Sequence, residues 1–371
     1  METKKYRFDE VTINFDKKRI PLSSAQREKR QGTFRYYGAQ GVIDHVDDYI
    51  YDGTYLLIAE DGENLKSKKQ NIAQVVDGQF WVNNHAHIVQ GNEQCDTRFL
   101  CYLINSMDLS GYVTGSAQPK LSQANLNAIT LSLPTLVEQK RIVEYLYMLD
   151  QKIDVNRQIN DNLQQQAAAL FSSLYDRSNA EVRFTDLIQI LGGGTPKTGE
   201  NTYWNGNIAF FTPKDVGTPY TLITEKTISK EGLSHCNSRL YPVNTVFVTA
   251  RGTVGKVGMS GVPMAMNQSC YALVGKETHQ LLVYFYTLKA VDRLKHKASG
   301  AVFDAITTRD FESEQIMKLS DDDATAFLRV AEPMFQEVLN NNIEILRLST
   351  LRDSLLPKLM SGEIDVSAVQ L

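Results

Sequence analysis

A chain of 371 residues has room for two or three domains with cores of their own, and 42% hydrophobic against 22% charged content excludes global disorder. The absence of an apolar run of about 18 residues and the polar start, residues 1–7, disfavour a membrane span and a secretory signal, so a cytoplasmic location is expected. A net charge of −4 and a pI near 5.9 argue against a simple polyanion binder, which is usually basic.

Residues 1–133 read as a mixed α/β region of short strands. Lys17, Lys18, Arg19, Arg27, Lys29, Arg30 and Arg35 crowd its start, as a solvated face or a binding one. Tyr36-Tyr37-Gly38-Ala39-Gln40-Gly41 reads as a glycine-flanked polar and aromatic loop. Residues 55–59 form an apolar run between the turn dipeptides Asp52-Gly53 and Asp61-Gly62, and read as a strand. Phe80-Trp81-Val82 and His87-Ile88-Val89 suggest further strands around the polar Asn83-Asn84-His85. Phe99, Leu100, Leu103 and Ile104 lie at helical spacing within residues 98–107. A polar loop over residues 115–120 and a short strand ending at Leu133-Pro134 follow.

From Pro134 to Tyr175 the chain holds no glycine and no further proline. Ile142, Leu146, Leu149, Ile153, Asn156, Asn160, Leu163, Ala167, Leu170 and Leu174 keep an a/d heptad spacing. A helix of about 40 residues is roughly 60 Å long, a spacer between two bodies, and Pro134 suits its start. The pattern breaks at Asp176-Arg177-Ser178-Asn179. A second region then runs through Gly192-Gly193-Gly194-Thr195-Pro196, Tyr203-Trp204, Phe210-Phe211-Thr212-Pro213-Lys214 and a strand over residues 246–250. Arg251-Gly252-Thr253 turns the chain, Met266-Asn267-Gln268-Ser269 precedes another strand, and residues 281–295 read as a helix before Ser299-Gly300.

The chain repeats. Residues 300–311 have the layout of residues 115–126, an offset of 300 − 115 = 185. Adding that offset to the helix core positions gives Phe327, Ala331, Met334, Val338, Asn341, Ile345, Leu348, Arg352, Leu355 and Leu359. An apolar strand ending in a turn, residues 57–60 against 248–251, is followed by Asn-Asn-His or Asn-Gln-Ser in the two halves. The expected fold is therefore α+β: two globular heads, 1–133 and 179–320, separated by two long helices, 134–178 and 321–371, in a pseudo-twofold tandem duplication. The helices are expected to form an antiparallel coiled coil with Asn160 facing Asn341, the polar pair fixing register. An ordinary helix pair with asparagines at its solvent edge is the other reading.

The chemistry of an active site is missing from the pattern. Gly252-Thr253-Val254-Gly255-Lys256-Val257 imitates a phosphate loop, with a misplaced first glycine and Val257 where Ser or Thr would hold magnesium. His85, His87 and Cys95 do not make a metal set, since a His-x-His strand turns both rings one way without further ligands. Cys95, Cys101, Cys236 and Cys270 form no Cys-x-x-Cys pair and suit a reducing compartment. What recurs in both heads is polar loops. Tyr36, Tyr37, Gln40, Asn83, His85, Gln118 and Lys120 are the candidates in the first head. Thr195, Lys197, Tyr203, Thr212, Lys214, Arg251, Thr253, Lys256, Asn267 and Gln268 are those in the second. Arg and Lys bond guanine edges, and Asn and Gln bond adenine.

Residues 134–154 with Asn156-Arg157-Gln158-Ile159-Asn160 resemble the central helix of type I restriction-modification specificity subunits. Gly193-Gly194-Thr195-Pro196, Tyr203-Trp204, Thr212-Pro213-Lys214-Asp215, Arg251 to Lys256 and Asn267-Gln268 look like their second target-recognition domain. The Leu355 to Ile364 segment looks like the family's closing segment, and Tyr36 to Ala39, Tyr51-Asp52-Gly53, Glu60-Asp61-Gly62 and Trp81 to His87 resemble one variety of recognition domain. The resemblance implies a non-catalytic subunit that reads double-stranded DNA at a bipartite, asymmetric site, one half per head. The helical pair would set the gap and dock two modification methyltransferase subunits, with restriction motor-nuclease subunits joining. Ile142, Leu146, Leu149, Ile153, Asn156, Asn160, Leu163, Val338, Asn341, Ile345, Leu348 and Leu355 are the coil or partner positions. No cofactor is expected on this chain: S-adenosylmethionine would belong to the methyltransferase, ATP and magnesium to the nuclease. One departure stands out: Asp321-Asp322-Asp323 replaces the family's proline-glutamate-glutamine start at the second helix. A structural adaptor whose heads bind proteins is the alternative.

Overall fold

The computed structural model describes residues 2–67, 70–115, 118–217, 219–297 and 305–364; Ser116, Ala117, Ser299 and residues 300–304 of the repeated loop lie outside them. The chain divides into two compact units, Met1–Gln151 with Leu348–Leu371, and Lys152–Arg347. Its main helices are α1 (Thr97–Ser106), α2 (Leu136–Asp176), α3 (Gln280–Lys297) and α4 (Asp321–Ser361). Each unit thus includes part of both long helices.

The first unit carries β1 (Lys4–Arg7), β2 (Thr12–Asn14), β3 (Gln31–Gly38), β4 (Gly41–Val46), β5 (Tyr51–Ala59), β6 (Ala73–Val82), β7 (Ala86–Gly91) and β8 (Thr130–Leu133). The order β2-β7-β5-β6-β3-β4 makes a six-stranded sheet in which only β3 and β6 run parallel, and β1 pairs with β8 apart from it. Asp96 caps α1 by accepting from the N–H groups of Arg98 and Phe99. The apolar face of α1 then packs on Leu56, Ile58 and Val89, in one core with Ile142 and Leu146 of α2 and Leu359 of α4.

Here the structure corrects one expectation. Residues 36–38 are the end of a strand and not a loop, and Tyr36 and Tyr37 are 0% and 4% exposed. Successive strand residues face opposite sides, and this sheet is covered on both: Tyr36 packs with Trp81 and Val46, Tyr37 with Tyr51 and Phe80. The basic run is also largely neutralised in place. Arg19 pairs with Glu60 at 2.8 Å, Arg27 with Asp44 at 2.8 Å, and Arg30 with Asp47 at 2.9 Å, while Arg35 donates to the Asp77 carbonyl at 2.7 Å.

The second unit carries β9 (Ala180–Arg183), β10 (Ile188–Gly192), β11 (Trp204–Phe211), β12 (Tyr220–Thr221), β13 (Lys226–Ile228), β14 (Val246–Thr249), β15 (Val257–Ser260), β16 (Met264–Met266), β17 (Cys270–Gly275) and β18 (Gln315–Lys318). Its sheets run β10-β17-β14-β15-β12 and β13-β11-β16, with β9 paired to β18. Apart from the two-residue β12, which pairs with β15, the strands repeat the order of the first unit. β10, β17 and β14 stand for β2, β7 and β5, and β11 and β13 stand for β3 and β4. The ten-residue β6 is broken into β15 and β16 around Gly261-Val262-Pro263, where proline cannot donate to a ladder. The offset is 180 − 4 = 176 at the first strand, and 315 − 130 = 185 at the last, which is also the offset 321 − 136 between the 41-residue helices.

Within the second unit the helices run antiparallel, with Asn341 Nδ2 donating to Asn160 Oδ1 at 2.9 Å and Asn160 Nδ2 to Asn342 Oδ1 at 3.1 Å. Asn156 donates to Glu344 at 2.7 Å, and Lys152 reaches the same carboxylate at 3.4 Å. Within the first unit, Arg352 of α4 meets Asp150 of α2 at 2.7 Å. Ile153, Val338 and Asn341 are buried on the seam, with Leu149, Leu163, Ile345, Leu348 and Leu355 half-buried. Toward the head of the second unit the seam widens: Phe171 and Phe335, outside the heptad positions, join Phe285 and Phe327 in an aromatic cluster.

Pro134 is not the first helical residue. α2 starts at Leu136 behind a capping pair in which the Thr135 N–H donates to Glu138 at 2.9 Å. Ser320 and Asp323 repeat that cap at α4, Asp323 N–H donating to Ser320 Oγ at 3.1 Å. The acidic start of the second helix therefore keeps the capping chemistry and suits the helix dipole. The difference falls one residue later. Gln139, 0% exposed, accepts from Asp96 N–H at 2.9 Å and donates to the Gln94 and Pro134 carbonyls at 2.9 and 3.0 Å. Its counterpart, Ala324, cannot reach so far, and a cleft of about 580 Å³ lined by Glu277, Thr278, His279 and Leu319 opens beside it.

Candidate nucleic-acid interface

Parallel strands deliver their carboxyl ends to one edge, where loops can converge. In the second unit β11 and β16 end together, Phe211 opposite Met266, and pass into Thr212–Asp215 and Asn267–Ser269. β14 leaves beside the second loop, the Ala250 N–H donating to Ser269 O at 2.8 Å. β10 brings Gly193 and Gly194 to the same place: a Cβ on Gly193 would fall 2.2 Å from Asn267 O, so only glycine fits. The Thr195 hydroxyl bonds the Gln268 carboxamide, and Thr253 donates to Pro213 O at 3.3 Å. Thr195, Lys214, Arg251, Thr253 and Gln268 are thus exposed on neighbouring loops, flanked by exposed Lys197 and Lys256. Lys197, Arg251 and Lys256 have no carboxylate partner among the described residues; Lys214 stands 3.8 Å from Glu225.

The first unit builds the same edge. β3 and β6 end with Tyr37 opposite Val82, leading to Gln40 and to Asn83-Asn84-His85, and β5 exits at Glu60-Asp61-Gly62. The Asn83 N–H donates to Tyr37 O at 3.0 Å, as Asn267 does to Phe211 O at 3.0 Å, and Glu60 N–H to His85 O at 2.9 Å, as Ala250 does to Ser269 O. Asp61 bridges to Lys120 as Arg251 bridges to Ala305, and 305 − 120 = 185 is the offset of the helices. Gln40, His85, Gln118 and Lys120 are exposed. His85 bonds Asp61 at 2.7 Å, and Lys120 meets Glu60 at 3.2 Å.

Several candidates do other work. Asn83 and Asn267 turn their side-chain oxygens inward, accepting from His85 N–H at 2.8 Å and Ser269 N–H at 3.0 Å, so both hold the loop instead of facing outward. Tyr36 and Tyr37 are core. Thr212 spends its hydroxyl and N–H on Asp215, at 2.6 and 2.8 Å. Tyr203 stacks on His235 at 4.8 Å and is not brought to the loop cluster by any described contact. The exposed neighbours of the inward asparagines, Asn84 and Gln268, are the outward positions. Sequence pattern named Gln268 but passed over Asn84, whose signal was its place next to a turn-forming Asn. The phosphate-loop imitation, Gly252 to Val257, joins two antiparallel strands and opens no helix.

Behind the first edge sits a buried charge network. His87, 1% exposed, donates from Nδ1 to Asp16 at 2.6 Å and from Nε2 to the Leu121 carbonyl at 2.8 Å. The Leu121 carbonyl can only accept, and Asp16 accepts while it is ionised, so with the Asp16 carboxylate in place both ring nitrogens carry a proton. Burial opposes that charge, but the bonds to Asp16 and Leu121 outweigh it and hold the His87 pKa above its ordinary value. Burial likewise opposes the Asp16 carboxylate, and the bonds from His87 and Ile88 N–H outweigh it and hold that pKa low. His85 lies outside the strand that carries His87, and the two rings do not share a face. No group of three or more His, Cys, Asp or Glu side chains placed for a metal occurs among the described residues, and no described helix is long and apolar enough to cross a membrane.

The model of the type I restriction modification DNA specificity domain matches this chain twice, over residues 2–165 and 177–318. The HindI specificity subunit of Haemophilus influenzae is 23% identical over 402 aligned positions, with 84% of each chain covered. Local matches are closer but shorter. A second Haemophilus influenzae relative is 36% identical over 138 residues, and the MjaIX specificity subunit of Methanocaldococcus jannaschii 29% over 127, so the chain spans about a third of the length of each (35% and 29%). Among solved structures, a type I restriction-modification S subunit from M. genitalium matches 97% of this chain and 96% of its own at a TM-score of 0.65 and 13% identity, which shows a shared fold. With two copies of the domain that together span most of its length, the chain belongs to the type I restriction-modification DNA specificity family.

Proposed function

We propose that the chain reads double-stranded DNA at two places, one half of an asymmetric site per unit, without catalysing a reaction itself. The observation that carries the reading is the repeated loop edge: in each unit the ends of two parallel strands, the exit of a neighbouring strand and an Asn-anchored turn present exposed amides and cations. Cations supply phosphate attraction and amides and guanidinium groups supply base contacts. The overall negative charge is no obstacle when cations gather at the edges.

The long helices then set the distance between half-sites and dock two modification methyltransferase subunits, with restriction motor-nuclease subunits joining the assembly. Val155 and Ile159, 47% and 40% exposed one turn apart on α2 and off the buried seam, support a helical partner there. S-adenosylmethionine belongs to the methyltransferase and ATP with magnesium to the nuclease. The test is duplex binding by the purified assembly across a salt series. Sequence-selective binding that weakens with salt is the expected result; a protein adaptor would show neither selectivity nor a salt slope.

A further inference from the structure

Several pairs of positions occupy equivalent places on the two loop edges, and most of them change chemistry. Asp61 stands for Arg251, Lys120 for Ala305, His85 for Ser269, and the buried strand ends Tyr37 and Phe211 share only aromaticity. The inward asparagines Asn83 and Asn267 are identical and close the turn, and the outward residue after each, Asn84 and Gln268, keeps its carboxamide. Both are exposed. Among the described residues, Asn84 has no side-chain partner, and Gln268 accepts only the Thr195 hydroxyl through Oε1, so its amino group is free.

A carboxamide on a rigid turn has one donor and one acceptor in a plane, the complement of the N6 and N7 pair on adenine in the major groove. Two bonds hold each turn in place. The Asn83 and Asn267 side chains accept from the N–H groups two residues on, of His85 and Ser269, and their own N–H groups tie the loop to the adjacent parallel strand at 3.0 Å. In the first unit Arg19 adds a clamp, donating to Ala86 O at 2.9 Å and Asn84 O at 3.4 Å. Such support is what a base-reading side chain requires.

We infer that Asn84 and Gln268 are a matched pair of base-reading residues, each bonding an adenine edge in its own half-site, while positions 61 and 251 make the two half-sites differ. This rests on the DNA-reading proposal above. The experiment maps methylated bases in cells holding the full assembly with Asn84→Ala, Gln268→Ala, or the unaltered chain, and measures duplex binding and thermal unfolding of each purified assembly. Each substitution is expected to relax one adenine position in one half of the motif, with discrimination there falling roughly tenfold to hundredfold and the other half unchanged. Loss of all methylation with an unchanged melting temperature and unchanged non-specific binding also supports the assignment, since only the specific contact has gone. Motifs unaltered by both substitutions would overturn it, as would loss of methylation accompanied by a lowered melting temperature. Asn83→Ala, which cuts the turn itself, is the control expected to lower the melting temperature. If the unaltered chain specifies no two-part motif, it is the DNA-reading proposal that falls.

Discussion

Arg251 and Asp61 stand at the same backbone position of their units, one bridged to Ala305 and the other to Lys120, yet they carry opposite charge. Arg251 is exposed and has no carboxylate partner among the described residues, whereas Asp61 is engaged by His85. Arg251→Ala is predicted to cost about 1–3 kcal/mol of discrimination at one base position, read as a relaxed position in a binding-site selection. Lys256→Ala, by contrast, is predicted to weaken all duplexes alike and to reduce the salt slope by about one. His87 yields a pH prediction. Its raised pKa contributes stability that is complete below the unfolded value of about 6.5 and is lost as pH rises through the folded value. The lowered Asp16 contributes above its unfolded value near 3.9 and loses that as pH falls. His87→Gln is therefore predicted to destabilise the first unit most between about pH 4 and 6.5, by about 3–5 kcal/mol, with the gap to the unaltered protein narrowing in alkali. Thermal unfolding across pH measures it, and a gap that widens in alkali would contradict the charged pair.

The long helices were legible in sequence because a buried seam leaves a period and a duplicated seam leaves it twice. Asn160 opposite Asn341 followed from the same pattern, since a polar residue on an apolar seam needs a partner of its own kind. The β3–β4 hairpin was not legible. A strand buried on both faces loses the alternation that marks a half-buried one, and Tyr36-Tyr37 beside Gly38 imitates a loop. The candidate loops were visible as polar clusters, but the direction of each side chain was not: Asn83 and Asn84 are the same residue type, and the Asx turn alone decides which faces outward. The cap of the second helix shows the reverse. Its altered residues at Asp321 to Asp323 matter little, while Gln139 against Ala324 removes three hydrogen bonds. Gln139→Ala is predicted to cost about 1–3 kcal/mol, because the Asp96 N–H and the Gln94 carbonyl are left without their partner. Ala324→Gln, which extends a side chain into the cleft beside Leu319, is predicted to raise the melting temperature. Denaturant unfolding of Gln139→Ala and thermal unfolding of Ala324→Gln check the two signs.

On the scale of the whole molecule, two copies of one topology present different residues on a shared kind of edge, joined by helices that repeat at a fixed offset. The loop edges differ in charge at Asp61 and Arg251, while the two helices keep one length. One heptad added to each long helix lengthens it by about 10 Å, roughly three base-pair steps of duplex. That change is predicted to widen the gap between half-sites and leave their bases unaltered. The most direct measurement maps methylated adenines in cells that carry the partner methyltransferase subunits, with and without this chain. A single two-part motif of two short defined sequences around an undefined gap is expected, present only with the chain. Methylation that is absent in both cases, or identical in both, would contradict it.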